Sequence, residues 1–449
     1  MVPPRPARVG TPARPQPHRF PALRLIPRAR WTDTADQAPF AGPRGSRAHG
    51  ETHRMLLVGV ESLRPGMTLA RSVLHPDRAD LLLLSEGYVL DAPMVDHLRR
   101  HGVTHAWIAF PGLEEIENRV SERVSRSHIE LCQVLARSVD TLEHRVSVKT
   151  NVHHYKKAVH HMLADIVDHP DHDLIVNQLK LCGPRLVGHQ ANCAYLALLV
   201  GAHLSGYLRS QRRALPSDVA ENTGQLGLGA LLHDVGKLAM PDELRTASVL
   251  DAQAEWPEYR YHCQSGYQEV RDHVSPVSAS IVLHHHQRFD GTGFPAVHKG
   301  MTPTPEPLSG ERIHVFARVV AVIDVLDHLL CPGGRPVPTI IAMARLRSPR
   351  FNGWFDPVIL ETVLKLIPPF MVGQMVTLSD GQQAVVTATH PDAPTRPTVK
   401  PLTGTVGDRD ARVAARPIDL RMTRRLQIVA VEGTDIRRYL TEDAPTVAA

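Results

Sequence analysis

Nowhere in the 449 residues does an apolar run approach the roughly 20 needed to cross a bilayer. The longest, from Cys193 to Leu204, is interrupted by Gly201 and His203, so no membrane span is expected. Cysteine is scarce. The five present (Cys132, Cys182, Cys193, Cys263 and Cys331) are odd in number and form no CxxC pair, which excludes a disulfide framework and a zinc ribbon and fits a reducing cytoplasm. Charge of one sign is also missing from most of the chain. The formal +5 arises in residues 1–54, where ten arginines face Asp33, Asp36 and Glu51, a balance of +7 that leaves the other 395 residues at −2. The body therefore offers no general nucleic-acid surface. What the chain has in excess is histidine, 27 residues against 51 Lys plus Arg. Such a surplus points to metal only where the spacing supports it.

Residues 1–54 hold ten of the 37 prolines and show no helical or strand period, the pattern of a disordered basic tail. Met55 opens the first well-patterned segment, and the expectation is that the tail precedes the true start codon; intact-mass measurement of the native protein tests this. Residues 55–112 read as a small β-rich module with turn signals at Pro65-Gly66 and Glu86-Gly87 and a short helix capped by Asp91 and ended by Gly102. Residues 113–154 form a helical connector, with Ile116, Val120, Val124, Leu131, Leu135, Val139, Leu142 and Val146 on one face. That stripe suits a second helix or a homodimer seam. Helical periods dominate residues 155–370. From 371 to 441 the pattern changes to a small β appendage, announced by Met375–Leu378, an Asp380-Gly381 turn and Ala384–Val386. Residues 442–449 read as a frayed tail. The fold class is mainly α: an all-helical domain between a small N-terminal α/β module and a small C-terminal β appendage.

The chemistry starts at His233-Asp234, which follows Leu231-Leu232 and precedes Val235-Gly236-Lys237. Two adjacent polar groups in so apolar a stretch cost several kcal/mol if left unpaired. A hydrogen-bonded core pair explains an isolated His-Asp well enough. This pair has company: His189 in an apolar helix, His262 in Tyr261-His262-Cys263, His285 and His286 after Ile281-Val282-Leu283, and Asp324 ending Val319-Val320-Ala321-Val322-Ile323. Five histidines and two aspartates, each flanked by apolar residues, are hard to explain unless they converge on metal.

The order His, His-Asp-x-x-Lys, His, His-His, Asp resembles the HD-GYP subgroup of the HD metal-dependent phosphohydrolases. The segment from His285 to Pro295 is similar to that family's HHExxDGxGYP signature, with Arg288, Asp290, Gly291, Gly293, Phe294 and Pro295 at motif positions. Anchoring on Asp290-Gly291 selects His285 and His286 from the triple histidine and leaves His284 outside the motif. Leu63-Arg64-Pro65-Gly66-Met67 resembles a small module often found before such domains. The resemblance covers about residues 170–370. It implies a helical domain holding two divalent metal ions, iron or manganese, and hydrolysing cyclic di-GMP to pGpG, GMP or both. The metal ligands it implies are His189, His233, Asp234, His262, His285, His286 and Asp324, with Asp234 bridging. Asp234 and Lys237 carry the catalytic roles. Lys237, Arg318 and Arg335 are the implied phosphate-binding residues.

The departures are as specific as the matches. Gln287 stands in place of the usual Glu, removing a charge that would orient Arg288 or His286. Phe294 replaces the Tyr of GYP, keeping the ring and losing a hydroxyl. Val337 and Pro338 follow Arg335-Pro336 where an aromatic and a basic residue are usual, and Arg185 stands where some members place a Glu for a third metal. A two-metal centre is therefore favoured. Two other readings remain open: a hydrolase for another cyclic dinucleotide or nucleotide, and a non-catalytic cyclic di-GMP receptor that signals to a partner protein. The cluster His153, His154, His160 and His161 reads as a solvated helix face, and Cys182 and Cys193 as small core residues.

Overall fold

Two continuous apolar runs, Met55-Leu56-Leu57-Val58 and Ala106-Trp107-Ile108, bring the first and last strands of the N-terminal module together. Its elements are β1 (Met55–Gly59), β2 (Val73–His75), β3 (Arg78–Leu84), helix α1 (Ala92–Arg100) and β4 (His105–Ala109). Strand β1 pairs antiparallel with β4, Leu57 opposite Trp107, and β2 pairs antiparallel with β3. Asp91 caps α1 by accepting from the Met94 amide at 2.8 Å, and Val95 and Leu98 turn inward. The computed structural model describes residues 55–75, 78–117, 121–142, 148–169, 185–297, 305–404, 406 and 411–440. The basic tail 1–54 and the frayed tail 442–449 lie outside the described residues.

The helical body contains α2 (Glu122–Leu142), α3 (Val148–Asp168), α4 (Arg185–His203), α5 (Gly224–Leu232), α6 (His262–Val270), α7 (Pro276–His284), α8 (Val315–Leu330), α9 (Thr339–Leu346) and α10 (Pro357–Leu366). Helices α4, α5 and α8 are apolar around most of their circumference and form the centre, the expected fate of a helix with no polar face. Proline at the first turn and a side-chain cap start two of the outer helices: Ser275 accepts from Ser278 N at 3.1 Å before α7, and Asp356 from Val358 N at 3.0 Å before α10. Val124, Leu131 and Leu135 of α2 are buried in the same core as Tyr155, Val159, Met162 and Ile166 of α3. The stripe expected to form a seam is thus covered within the chain along its described part, as the second-helix alternative requires and a dimer seam does not. Among the described residues no single helix is long and apolar enough to cross a membrane; a bent pair, Leu186–His203 with Ser205–Gln211, meets the length and composition test together. The first member of that pair is the central core helix.

The C-terminal strands are β5 (Met375–Leu378), β6 (Gln383–Ala388), β7 (Thr398–Thr403), β8 (Arg412–Val413), β9 (Ile418–Asp419), β10 (Ile428–Val431) and β11 (Thr434–Asp435), arranged β11-β10-β5-β6-β7-β8 with β9 also on β7. The Asp380-Gly381 turn joins β5 to β6: Gly381 has φ +86, and Asp380 accepts from Gln382 N at 3.0 Å. Alternation along the strands gives this sheet two apolar faces. Val385 and Leu402 pack with Trp107, Ile108 and Ile116 of the N-terminal region. Val376, Ala384, Val386 and Val399 pack with Ile340 and Ile341 of α9 and with Phe370. Lys400 donates to Gly112 O at 2.9 Å and pairs with Glu115 at 2.6 Å. The β appendage is therefore a wedge between the N-terminal module and the helical body.

Candidate metal centre

Seven side chains from five parts of the helical body meet at one buried point. His189 comes from the first turns of α4, His233 and Asp234 from the end of α5, and His262 from the start of α6. His285 and His286 follow α7, and Asp324 lies in α8. His233, Asp234, His262, His285 and Asp324 are each at most 1% exposed. The Asp234 carboxylate sits between two pairs of imidazoles. Its Oδ1 is 3.3 Å from His262 Nε2 and 3.6 Å from His285 Nε2. Its Oδ2 is 3.6 Å from His233 Nε2 and 3.8 Å from His189 Nε2. Within each pair the two Nε2 atoms are 3.2 Å apart. Asp324 closes the group, with Oδ1 3.2 Å from His189 Nε2 and Oδ2 3.5 Å from His286 Nδ1.

Local backbone geometry fixes which nitrogen each ring presents. Nδ1 of His233, His262 and His285 donates to the carbonyl three residues earlier, of Ala230, Tyr259 and Val282, at 2.7, 2.5 and 2.9 Å. A carbonyl only accepts, so Nδ1 carries the hydrogen and the neutral ring keeps its lone pair on Nε2. Burial pushes His233 and His262 down to about 3, so both are neutral at ordinary pH. Close packing holds the frame. A Cβ on Gly236 would stand 2.0 Å from His262 O, and one on Gly293 would stand 2.4 Å from His286 O; both are approaches that only glycine permits.

This donor set fits a pair of divalent cations. Two donors on one ion, each at about 2.0–2.2 Å, lie roughly 3.0–3.5 Å apart for angles near 90–110°, the range seen here between Nε2 atoms. Asp234 Oδ1 and both oxygens of Asp324, with Nε2 of His286 and of His328, are buried and make no hydrogen bond. Lone pairs facing carboxylate oxygens in a dry core are unfavourable without a cation between them.

Sequence reasoning missed a supporting layer. Asp327 Oδ2 accepts from His189 Nδ1 at 2.8 Å, and its Oδ1 accepts from Asn192 Nδ2 at 3.0 Å. Asn192 Oδ1 in turn lies 3.0 Å from His128 Nε2 on α2. A carboxylate on the far nitrogen of a metal-binding imidazole fixes its tautomer and raises its basicity. The signal was available: Asp327 and His328 fall three and four residues after Asp324, on the same helical face and inside the same apolar run.

The three implied phosphate-binding cations are not brought together. Lys237 is 1% exposed, its ammonium 2.7 Å from Asp234 Oδ2 and donating to Ala247 O at 3.3 Å. Burial opposes charge on both partners, yet each holds the other ionised: Asp234 raises Lys237, and Lys237 keeps Asp234 well below the usual carboxylate range. Arg318 is buried away from the cluster, bound to Asp356, Tyr207 OH, Gln211 and Ile313 O. Four of the five N–H donors of this buried guanidinium are thus committed within the fold. Arg335 is exposed on the turn after α8.

The motif loop is held by side chain–backbone bonds. Buried Gln287 donates to Pro295 O and accepts from Leu308 N at 2.9 Å, so it ties the loop instead of orienting Arg288 or His286. Arg288 stacks on Trp354, its guanidinium carbon 3.3 Å from the ring centre. Asp290 accepts from Thr292 N at 2.9 Å, and Gly291 turns at φ +84. The Phe294 ring lies 4.7 Å from that of His286 and forms an apolar wall of the centre. His284 is half-buried beside Ser280, outside the cluster.

A family profile described as HD domain matches residues 176–359, and one described as KOW domain associated with HD domain matches residues 375–436. A cyclic di-GMP phosphodiesterase of Pseudomonas aeruginosa is 30% identical over 250 residues, 55% of each chain. The cyclic di-GMP phosphodiesterase response regulator RpfG of Xanthomonas campestris is 34% identical over 148 residues, 31% of this chain and 35% of that one. A 3′3′-cGAMP-specific phosphodiesterase of Vibrio cholerae is 32% identical over 132 residues, 28% of this chain and 21% of that one. The chain thus spans about half the length, or less, of these curated relatives. Among solved structures, an HDG"Y"P protein from Bdellovibrio bacteriovorus matches with a TM-score of 0.40 and 16% identity, covering 69% of this chain and 98% of that one. Residues 176–359 thus match the HD domain family, and their ordered ligand motif, from His189 to Asp324, resembles that of its HD-GYP subgroup.

Proposed function

We propose that the chain is a metal-dependent phosphodiesterase that hydrolyses cyclic di-GMP to pGpG, GMP or both. Hydrolysis of one phosphodiester adds the oxygen of water to phosphorus and breaks the bond to the 3′ oxygen, which leaves as a hydroxyl. The observation that carries this reading is the Asp234 carboxylate, with one oxygen toward the His262/His285 pair and the other toward the His189/His233 pair.

The ligands would be His189, His233, Asp234 and Asp324 on one side and Asp234, His262, His285 and His286 on the other. When bound there, two divalent ions, iron or manganese, supply activated water at neutral pH and neutralise phosphate charge. The protein's own contribution is positional. Neutral imidazoles locked through Nδ1 keep their lone pairs aimed inward. Lys237 holds the Asp234 carboxylate in place and ionised. Phe294 lends an apolar side that keeps bulk water from His286, and dryness strengthens every charge interaction within the centre. Arg335, exposed on the turn after α8, would be available to a phosphate.

Resemblance to the Vibrio cholerae relative supports a second substrate reading, 3′3′-cGAMP. The test is to strip and reload the chain anaerobically with Mn(II) or Fe(II), determine metal per chain, and chromatograph products from both dinucleotides. Two metals with pGpG or GMP formed from cyclic di-GMP is the expected result. Preferential cleavage of cGAMP would transfer the assignment to that substrate. Tight nucleotide binding without product would make the site a receptor.

A further inference from the structure

We infer that His328 is an additional metal-binding side chain, completing the protein's hold on the ion at His189, His233 and Asp324. This rests on the metal-centre reading above and adds a donor outside the seven-ligand motif.

One helical turn separates Asp324 from His328, so both project from the same face of α8. His328 Nε2 is 3.3 Å from Asp324 Oδ1, the same oxygen that lies 3.2 Å from His189 Nε2. The three atoms belong to a group whose members all lie within 4.8 Å of one another. The His189 and His328 rings stack with centroids 4.3 Å apart and planes 28° from parallel. Two imidazoles therefore converge on one carboxylate oxygen from neighbouring helices.

The burial of His328 is uneven. Its side chain is 19% exposed, so the ring reaches the surface, yet Nε2 is buried and has no hydrogen-bond partner. A surface histidine with no internal task would turn its nitrogens to water. His189 sharpens the point. Its Nδ1 donates to Asp327 Oδ2 at 2.8 Å, which turns Nε2 toward Asp324 Oδ1. His328 Nε2 looks into the same space, so two ring nitrogens and one carboxylate oxygen surround a single point.

With His328, one ion has five protein donors: His189, His233, Asp234, Asp324 and His328. The other has four: Asp234, His262, His285 and His286. Such a donor set would hold the first ion more tightly than the second.

The experiment uses the full chain, stripped by chelation under anaerobic conditions and titrated with Mn(II) by calorimetry and with Co(II) by visible absorption. Wild type is compared with His328→Ala, His328→Gln and His262→Ala. Both His328 variants should weaken one of the two sites by at least about tenfold, the loss typical even of outer residues around a metal, and should change the Co(II) d–d band of that site alone. His262→Ala should weaken the other site. If His328→Ala leaves both affinities and the Co(II) band unchanged while His262→Ala loses a site, the assignment of His328 is overturned. It is equally overturned if His328→Gln keeps wild-type affinity, since glutamine preserves bulk and hydrogen bonding but is a poor ligand. If His262→Ala also leaves metal binding intact, the metal centre itself is refuted.

Discussion

Replacing Lys237 with methionine alters the charge balance of the centre without removing a metal donor. The lysine ammonium is 1% exposed and 2.7 Å from Asp234 Oδ2. Methionine fills nearly the same volume, so the main loss is the counter-charge of a buried carboxylate. Removing one partner of a buried ion pair costs about 3–5 kcal/mol. At about 2–4 °C per kcal/mol for a body of this size, the metal-stripped variant should melt roughly 6–20 °C below stripped wild type. Loading reverses most of this, because cations on either side of Asp234 supply the missing charge. The remaining penalty is the bond to Ala247 O, about 1 kcal/mol. Four melting curves are needed, wild type and Lys237→Met, each stripped and loaded with Mn(II). The difference of differences is the observable. A variant that loses the same stability in both states would refute the reasoning, because Asp234 would then carry its charge independently of metal.

Three further outcomes follow from the same geometry. Stability of the stripped chain should fall as pH drops below about 6.5: His233 and His262, held down to about 3 by burial, stay unprotonated when folded while their unfolded forms take up protons. The unfolded state binds more protons in that window, so the two together remove up to about 3 kcal/mol per pH unit; a urea midpoint flat from pH 6.5 to 5 would contradict this. Asp327→Asn replaces one acceptor with a donor facing His189 or Asn192, and calorimetry should show metal affinity reduced about 10–100-fold; unchanged affinity would remove Asp327 from the centre. Gln287→Glu, although it restores the usual motif residue, should lower the unfolding free energy by about 1–3 kcal/mol and the denaturation midpoint with it, because a carboxylate cannot donate to Pro295 O. An equal or higher midpoint would show that the amide does not tie the loop.

The helical body and its buried donors were legible because hydrophobic periodicity and burial are local properties. An apolar run that contains His233-Asp234, or ends at Asp324, reports a polar group in a core wherever the helix packs. The Asp380-Gly381 hairpin was legible for the same reason, since a turn is decided by a few consecutive residues. Arg318 was not, because its partner Asp356 is 38 residues away and sequence order does not show which carboxylate a buried guanidinium meets. His328 was passed over because its meaning depends on His189, a residue of another helix.

By itself, then, the sequence determined where helices and strands form, which polar residues would be buried, and that the buried ones suit metal. Tertiary structure alone decided that Lys237 points at Asp234, that Asp327 and His128 stand behind the donors, and that β5–β11 wedge between the N-terminal module and the helical body. Periodicity encodes the side of an element that is buried, whereas contact partners depend on how whole elements dock. That docking is set by the summed shape of faces drawn from distant parts of the chain.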